Sequence, residues 1–378
     1  RNTVKTSASS RSRVTIPPLL FPAGHKTERK EMADMSEKTM KALVLEEAFK
    51  VNLKDVPLPE VPNGYARVKM LAISICGSDI HAYKGNSLLL TYPRVLGHEL
   101  CGVIDEINGD GGAFKIGDKV SVFPYISCGH CVACRQHREN CCTSLKVLGV
   151  HVEGGIAEYV SVPIENLLKV PETMDAKVAA LIEPLSVSAH AVRRGKVKAG
   201  DHVLVLGAGP IGLGVAESAR AAGADVRVAD VSPARRNFVA ERFGHVTMNP
   251  MDDDFDAQLR EWTNGDYPNK VIDSTGNKAS NSVAVNYLGA AGDLIFVGLQ
   301  SDTLGLSDPA FHIREATVYA SRVAQMEDFR HVLEMIQNGK IRAERMITDA
   351  SDLTHAKESF EEWVGRGGAV FKGIIEVK

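Results

Sequence analysis

Residues 202–214 read HVLVLGAGPIGLG, a continuous apolar run followed by a glycine-rich turn. The run predicts a buried strand, and the residues after the turn predict a helix. The glycines between them follow the spacing G-x-G-x-x-G. Gly207 permits a tight turn, Gly209 lets the backbone approach a pyrophosphate, and Gly212 allows the helix to pack closely on the strand. In this context the motif indicates a dinucleotide site at the helix N-terminus.

The chain downstream repeats this alternation of strand and helix. Buried-strand patterns at 225–230, 270–276 and 293–299 are separated by helical stretches. They predict a doubly wound parallel sheet of the Rossmann kind. Two amphipathic helical patterns follow, near 326–337 and 354–365, before a final strand pattern, FKGIIEV.

The chain upstream has a different texture. Short β-like runs such as KALVL and YARVKMLAI alternate with turn signals such as VPLPEVPNG. The first half therefore predicts an irregular, mostly β unit rich in glycine. The fold class is α/β: a mostly β domain joined to a Rossmann domain.

The end of the second predicted strand indicates which dinucleotide binds. Asp230 stands where an acid would accept hydrogen bonds from the adenosine ribose. Ser232, followed by proline, is the better cap for the next helix, which leaves Asp230 free. An anion there repels a 2′-phosphate and favours NAD, although Arg235 or Arg236 could accommodate that phosphate. The cofactor is expected at Gly207, Gly209, Pro210, Ile211, Gly212, Asp230, Arg235 and Val297.

Length and charge bound the function. The 378 residues suffice for two domains, and 44 Lys plus Arg against 47 Asp plus Glu give a net charge of −3. This balance gives no reason to expect nucleic acid or an anionic membrane as a partner. No uninterrupted apolar run reaches the roughly 18 residues of a membrane span.

The first residues differ from the rest of the chain. Residues 1–30 are rich in Ser, Thr, Arg and Lys, and Glu28 is their only acid. An organelle transit peptide has this composition. The alternative is an extension upstream of a start at Met32, Met35 or Met40, and we favour it because no apolar targeting core is present. Either way, little order is expected over 1–39.

Five of the seven cysteines lie within CGHCVACRQHRENCC, residues 128–142. Such clustering favours metal ligation in a reducing, cytoplasmic setting over a disulfide framework. Four thiolates on short tethers can close a tetrahedron around a structural zinc. An iron–sulfur cluster is the alternative, but the fourth spacing does not match and no proline follows. Cys141 is out of register, and the predicted ligands are Cys128, Cys131, Cys134 and Cys142.

A second set of candidate ligands is dispersed along the chain. Cys76 lies in CGSDIH, His98 and Glu99 lie in GHE, and Glu183 lies in LIEPL. Each alone is more often a packed or surface residue than a ligand. Together, a thiolate, an imidazole and a carboxylate beside a nicotinamide fold describe a catalytic zinc with one open position. Cys101 has no partner in register and is expected to pack in the core.

These motifs together resemble the zinc-dependent medium-chain dehydrogenase/reductase family, from Met40 to Lys378. The resemblance implies a GroES-like β domain that carries both zincs, and a C-terminal segment that returns to it. It implies catalytic zinc ligands at Cys76, His98 and Glu183, with Glu99 as an alternative ligand or a neighbour. The alcohol-dehydrogenase branch has cysteine at 183, so the glutamate points to the polyol and sugar-acid branches.

The resemblance also assigns roles around the metal. It implies Ser78 as the hydroxyl that relays the substrate proton and His81 as the terminal base, whereas a turn serine and a surface histidine are the alternatives. Asp79 would orient a ligand histidine. Arg322 would hold the carboxylate of a sugar acid, or else form a salt bridge at the domain junction. The implied catalytic residues are Ser78, His81, Glu99 and Arg322.

The resemblance further implies four segments and one reaction. The segments are the extension 1–39, the GroES-like domain 40–185, the Rossmann domain 186–322 and the returning segment 323–378. The reaction is hydride transfer from a secondary hydroxyl of a sugar acid or polyol to NAD. The C5 hydroxyl of L-galactonate is favoured, with sorbitol, L-idonate and threonine as alternatives. A non-enzymatic role on the same fold is disfavoured by the complete ligand set. A homodimer or homotetramer is expected.

Overall fold

The protein is described by a computed structural model that covers residues 38–87, 89–300 and 303–378. The extension predicted at 1–39 thus lies outside the described residues, apart from its last two. Within the described ranges, no helix combines the length and the apolar character needed to cross a bilayer.

The chain before residue 200 is built mainly from strands. Its elements are β1 (Thr39–Glu47), β2 (Lys50–Pro57), β3 (Tyr65–Ser74), α1 (Gly77–Tyr83), β4 (Arg94–Val95), β5 (Glu99–Asn108), β6 (Lys119–Val122), β7 (Tyr125–Ile126), α2 (Val132–Arg135), β8 (Lys146–Val147), β9 (Tyr159–Pro163), β10 (Leu167–Lys169), α3 (Ala176–Ala180) and α4 (Ile182–Arg194). Strand β3 lies at the centre, because it pairs antiparallel with both β5 and β9. The predicted mostly β unit is confirmed.

The middle of the chain alternates strand and helix. Its elements are β11 (His202–Leu206), α5 (Pro210–Ala221), β12 (Asp225–Ala229), α6 (Pro233–Phe243), β13 (Val246–Met248), α7 (Phe255–Trp262), β14 (Lys270–Asp273), α8 (Lys278–Val283), β15 (Asp293–Phe296), α9 (Asp308–His312) and β16 (Thr317–Ala320). In the described residues they form a parallel six-stranded sheet of order β13-β12-β11-β14-β15-β16. This is the doubly wound order, so the predicted Rossmann sheet is confirmed.

The end of the chain returns to the first sheet. Its elements are α10 (Met326–Gln337), β17 (Asp349–Asp352), α11 (Ala356–Arg366) and β18 (Gly373–Glu376). Strand β18 pairs antiparallel with β3, so that Ile375 lies opposite Ile73. Helix α10 packs on α4. The last strand therefore completes a sheet whose other strands lie some 200 or more residues earlier, except for β17.

Element boundaries differ from the sequence patterns in small ways. The strand predicted at 202–207 ends at Leu206, since Gly207 turns the chain with φ +98°. The helix predicted near 354–365 begins at Ala356, after a 3-10 turn over Leu353–His355. The boundary predicted between residues 185 and 186 falls inside α4, a continuous helix. The division into segments itself stays a prediction.

Candidate active site and metal centres

The four predicted structural ligands come together in one loop, residues 128–142. The sulfur atoms of Cys128, Cys131, Cys134 and Cys142 all lie within 4.8 Å of one another. Helix α2 begins after Cys131, and the 3-10 turn Glu139–Cys141 directs the chain to the fourth thiol. All seven cysteines are free thiols. Four sulfurs in this arrangement fit a tetrahedral zinc with no position left for substrate.

Backbone donors favour thiolates in this cysteine loop. The N–H groups of Cys134 and Thr143 lower the pKa of Cys131 to about 5. Burial raises the pKa of Cys134 to about 11, and a bound cation would offset that effect. Cys141 lies outside the set, with its sulfur 3.9 Å from Nη2 of Arg138. Cys101 is fully buried in the sheet, as its predicted packing role requires.

A second group of ligand atoms forms where β3 and β5 meet. The ligand atoms of Cys76, His98 and Glu99 all lie within 4.8 Å of one another. Ser74 at the end of β3 pairs with Glu99 at the start of β5. This antiparallel register places the residues just after β3 beside those just before β5, which explains how distant positions converge.

Glu183 lies near this group but not within its 4.8 Å limit. It occupies the first turn of α4 and is 3% exposed. Its Oε1 accepts a hydrogen bond from the hydroxyl of Tyr125. Burial raises the pKa of Glu183 to about 7, against the lowering effect of His98. Burial and the Glu183 carboxylate raise the pKa of Tyr125 well above its usual value, so the phenol keeps its proton and donates it.

Glu99 has a partner of its own. Lys372, next to β18, places its ammonium 2.5 Å from each carboxylate oxygen of Glu99, and both residues are fully buried. Burial alone would raise the pKa of Glu99, but Lys372 and His98 lower it below the usual value. The carboxylate of Glu99 is therefore ionised and is engaged by a cation from the chain itself.

His98 has a polar neighbour beside each of its ring nitrogens. Its Nε2 lies 3.5 Å from Oγ of Ser78, and its Nδ1 lies 3.9 Å from Oδ1 of Asp79. The other Asp79 oxygen accepts from the backbone N–H of Cys76. Burial alone would lower the pKa of His98, but the Cys76 thiol and Asp79 raise it well above the usual value.

These observations fit a divalent cation. A thiol and several carboxyl groups surround His98, whose buried Nδ1 has no hydrogen-bond partner among the described residues. A bound zinc ion would neutralise the excess of negative groups. It would also take the place of the proton that these groups favour on the His98 imidazole. Thiolate, imidazole and carboxylate also match the ligand preferences of zinc.

The predicted relay residues lie on the outer side of this group. Ser78 and His81 belong to α1, three residues apart and therefore on one helix face, and both are exposed. No direct hydrogen bond joins their side chains in the described part of the chain. The helix thus places a hydroxyl beside His98 and an imidazole further toward solvent.

The glycine-rich turn has the shape that a pyrophosphate requires. A Cβ at Gly212 would lie 1.8 Å from the carbonyl oxygen of Gly207, so no side chain fits there. A Cβ at Gly209 would meet only Nη1 of Arg235, at 3.6 Å. The space above Gly209 is therefore open, and Pro210 begins α5 directly beneath it.

Backbone donors hold Asp230, the residue predicted to bind the cofactor's ribose. Asp230 accepts from the N–H of Ala208 and from that of Ser232, at 2.7 Å each. Ser232 caps α6, as predicted. Arg235 lies with Nη1 4.0 Å from an Asp230 oxygen, while Nη1 of Arg236 donates to the Asp230 carbonyl. The carboxylate is thus fixed at the carboxyl end of β12.

Two further predicted residues lie at the same edge of the parallel sheet. Val297 follows β15, and its N–H donates to the carbonyl of Asp273. Arg322 follows β16, and its carbonyl accepts from Nδ2 of Asn140 in the cysteine loop. Ligands of doubly wound sheets bind at this carboxyl edge. Burial, and then the charges of Arg322 and Arg94, lower the pKa of His151, so Arg322 lies close enough to this histidine to act on it.

Sequence reasoning missed three residues around the sites: Lys372, Tyr125 and Asn140. Lys372 carries one detectable signal, because a lysine within the buried pattern VFKGII needs a partner. Nothing in the local sequence of Tyr125 or Asn140 announces their contacts, since each partner comes from a remote segment.

Known families match both parts of the chain. Residues 62–172 match the alcohol dehydrogenase GroES-like domain, and residues 210–338 match the zinc-binding dehydrogenase family. The L-galactonate-5-dehydrogenase of Escherichia coli (strain K12) is 44% identical over 337 residues, which cover 89% of this chain and 99% of that enzyme.

Solved structures agree with these matches. An alcohol dehydrogenase (rspB) of E. coli CFT073, complexed with NADH, has a TM-score of 0.83 and 31% identity, and covers 89% of this chain and 99% of its own. L-idonate 5-dehydrogenase of E. coli has a TM-score of 0.82 and 26% identity, covering 90% and 98%. The chain therefore belongs to the zinc-dependent medium-chain dehydrogenase/reductase family.

Proposed function

We propose that this dehydrogenase oxidises a secondary hydroxyl of a sugar acid, with the C5 hydroxyl of L-galactonate as the first candidate and NAD as the acceptor. The observation that carries this proposal is the 44% identity to L-galactonate-5-dehydrogenase over almost the whole of that enzyme. The similarity to L-idonate 5-dehydrogenase supports the same substrate class.

The two cofactors supply the reactive chemistry. When bound, zinc acts as a Lewis acid that lowers the pKa of an alcohol, and NAD accepts a hydride. In our proposal Cys76 and His98 hold the catalytic zinc, and Cys128, Cys131, Cys134 and Cys142 hold a structural one. The chain's own residues then fix the substrate, exclude the wrong cofactor and carry away a proton.

Two carboxylates compete for the third ligand position of the catalytic zinc. Glu99 lies within the 4.8 Å group, but both of its oxygens are engaged by Lys372. Glu183 has one oxygen bonded to Tyr125 and keeps the other available. We therefore assign Glu183 the direct or water-mediated contact, and Glu99 the role of fixing the charge beside it.

The proton leaves along α1. Ser78 Oγ, 3.5 Å from Nε2 of His98, is close enough to the ligand group to accept the substrate's hydroxyl proton while passing its own onward. The exposed imidazole of His81, one turn further, receives that proton through water. This route explains why a hydroxyl and an imidazole share one helix face.

The substrate's acid end is assigned to Arg322. Arg322 follows β16 at the carboxyl edge of the sheet, and its charge contributes to lowering the pKa of His151. An arginine can hold a carboxylate through two parallel hydrogen bonds. A polyol lacks that anion, so Arg322 would separate sugar acids from polyols.

Asp230 supports NAD over NADP. Its carboxylate is held by two backbone N–H groups at the position of the ribose hydroxyls, and it would repel a 2′-phosphate. Replacing Asp230 with glycine should raise the relative use of NADP at least tenfold. Asp225→Asn, at the other end of β12, is the control. An unchanged NAD preference in Asp230→Gly would clear Asp230 of this role.

The function is tested by assaying NADH formation with a panel of sugar acids and matched polyols. We expect L-galactonate, or a closely related aldonate, to give the highest kcat/KM. Arg322→Ala should lower kcat/KM for the acid at least a hundredfold and hardly change that for a polyol. A polyol or threonine as the best substrate would contradict the proposal.

We also propose a homodimer or homotetramer in the cytoplasm. Strand β16 forms an open edge of the parallel sheet in the described residues, and Leu299 and Ile313 near it are 83% and 80% exposed. Seven free thiols suit a reducing compartment. Analytical ultracentrifugation and cell fractionation test these points. A monomer would contradict the first, and a secreted protein the second.

A further inference from the structure

Asn140 connects the cysteine loop to the segment that carries Arg322. It lies between two of the cysteine ligands and is 1% exposed. One hydrogen of its Nδ2 group points to the carbonyl oxygen of Arg322, at 3.0 Å, and the other to Nε2 of His190, at 3.2 Å. A single buried amide thus bridges residues 182 positions apart.

The orientation of this amide is imposed by its partners. His190 Nδ1 lies 2.8 Å from Oδ2 of Asp328, and in the tautomer that donates to this carboxylate Nε2 is an acceptor. Arg193 donates to the other Asp328 oxygen, also at 2.8 Å. Both acceptors therefore demand the NH2 side of Asn140, and its buried Oδ1 has no partner among the described residues. Leaving that oxygen unpaired has a cost that the two donated bonds must offset.

The segment that receives the bridge is strained. Val323, directly after Arg322, has φ +43°, a left-handed conformation that β-branched residues rarely adopt. Such a residue persists only where the surrounding structure holds it, and this strain concentrates at binding sites. Gln325, two residues on, is tied to the same loop, because its Nε2 donates to the carbonyl of His137 at 2.8 Å. The cysteine loop therefore forms hydrogen bonds with residues on both sides of Val323, Arg322 and Gln325.

We propose that Asn140 is a positioning residue that fixes the strained turn at Arg322–Val323 and so aims the Arg322 guanidinium at the acidic end of the substrate. The inference rests on the proposed function, in which Arg322 binds that end. The cysteine loop then has a second role, because it sets the geometry of the substrate pocket as well as folding around its metal.

The test measures KM and kcat of the zinc-loaded enzyme with L-galactonate and with galactitol, its polyol counterpart. Asn140→Ala should raise KM for L-galactonate about five- to tenfold, because the lost bridge lets Arg322 move, while kcat and KM for NAD stay within about twofold. KM for galactitol should change less than about twofold. Titration calorimetry of L-galactonate into the enzyme–NADH complex should show the same loss of affinity without turnover.

A double-mutant cycle separates positioning from general damage. In an Arg322→Ala background, Asn140→Ala should add no further loss for L-galactonate, since both act through one guanidinium. His190→Gln, which leaves the cysteine loop intact, should reproduce a smaller increase in KM. Asn269→Ala is the control, because this asparagine also joins two distant parts of the chain, its own segment and residues 201–202, at the opposite edge of the parallel sheet from Arg322.

Each outcome decides between the hypotheses. An equal loss for acid and polyol, or a loss that persists in the Arg322→Ala background, would overturn the role of Asn140. If Arg322→Ala itself leaves L-galactonate binding unchanged, the proposed function fails instead. If Asn140→Ala loses zinc, the His190→Gln result decides: an unchanged KM for L-galactonate would reject the inference.

Discussion

The cysteine loop and the Cys76–His98 group are both candidate metal-ligand sets, yet they are assembled in opposite ways. The loop draws four ligands of the same type, all cysteine thiols, from 15 consecutive residues. The second group draws unlike ligands from the ends of β3 and β5. Its carboxylate Glu99 is bound by Lys372, and the nearby Glu183 on α4 is bound by Tyr125. The cysteine loop alone supplies all four ligands of its proposed metal. In the second group, Lys372 and Tyr125 bind carboxylate oxygens that could otherwise bind the metal.

This difference separates folding from chemistry. Four thiolates within one loop leave no free position, so their metal can only stabilise structure. Mixed ligands on separate elements, with the carboxylates of Glu99 and Glu183 restrained by further hydrogen bonds, leave space for a substrate and tune the charge around it. Removing one ligand should therefore unfold the cysteine loop in the first case, and abolish turnover without unfolding in the second. The following predictions test that contrast, in order of expected free-energy effect.

The largest effect is expected from Cys131→Ala. Ligation of a closed zinc site contributes on the order of 10 kcal/mol to local folding, and a three-thiol remnant should lose most of it. We expect loss of one zinc per chain and a clear fall in the thermal midpoint, measured by elemental analysis and calorimetry. Cys141→Ala, one residue from a ligand, should leave both unchanged. A fully stable Cys131→Ala protein would break the contrast.

Cys76→Ala should instead remove turnover from a folded protein. We expect kcat to fall about 10⁴-fold, or roughly 5 kcal/mol, because a predicted catalytic ligand is gone. NADH binding, followed by fluorescence titration, and the thermal midpoint should hardly change. The matched control is Cys101→Ala, a buried thiol on β5 outside the ligand group. Appreciable activity in Cys76→Ala would remove this residue from the chemistry.

Lys372→Met should have a smaller effect than either of these substitutions. It leaves the Glu99 carboxylate buried without its cation, which costs about 3–5 kcal/mol of unfolding free energy. Adding Glu99→Gln should restore most of the loss, because no unpaired charge remains. Lys169→Met, which removes an exposed partner of Asp118, should cost at most about 1 kcal/mol. Urea unfolding measures all three, and no rescue by the double variant would contradict the pairing.

Tyr125→Phe should have the smallest effect. It removes one hydrogen bond to the buried Glu183 carboxylate, worth about 1.5–3 kcal/mol, part of which a water molecule can replace. We expect kcat/KM to fall about tenfold at unchanged zinc content. Tyr159→Phe, on β9, serves as the control. A loss of metal in Tyr125→Phe would show that the phenol holds a ligand in place instead of tuning it.

Sequence sufficed where the information was local. The cysteine spacing and the glycine motif each lie within one short stretch, and the buried strands of the parallel sheet have a simple apolar pattern. The sequence also suggested Cys76, His98 and Glu183 as a set, with Glu99 as the alternative carboxylate, although only through the combination of ligand types. The register Ser74↔Glu99, which brings Cys76, His98 and Glu99 together, is a property of the folded sheet.

Sequence failed where a residue acts through a remote partner. Lys372 reaches Glu99 across 273 positions, and Asn140 reaches Arg322 across 182. Such pairs depend on the packing of whole elements, which no local pattern encodes. The same holds for the left-handed conformation of Val323, since valine by itself disfavours it.

The Lys372–Glu99 pair bears on how the polypeptide matures. Glu99 leaves the ribosome 273 residues before its partner, an interval of about 14–55 s at roughly 5–20 residues per second. Throughout that interval a carboxylate destined for the interior lacks its counter-ion, and β3 lacks β18. The first sheet of the nascent chain therefore stays incomplete until β18 has been synthesised. Shielding by chaperones would matter most during this window.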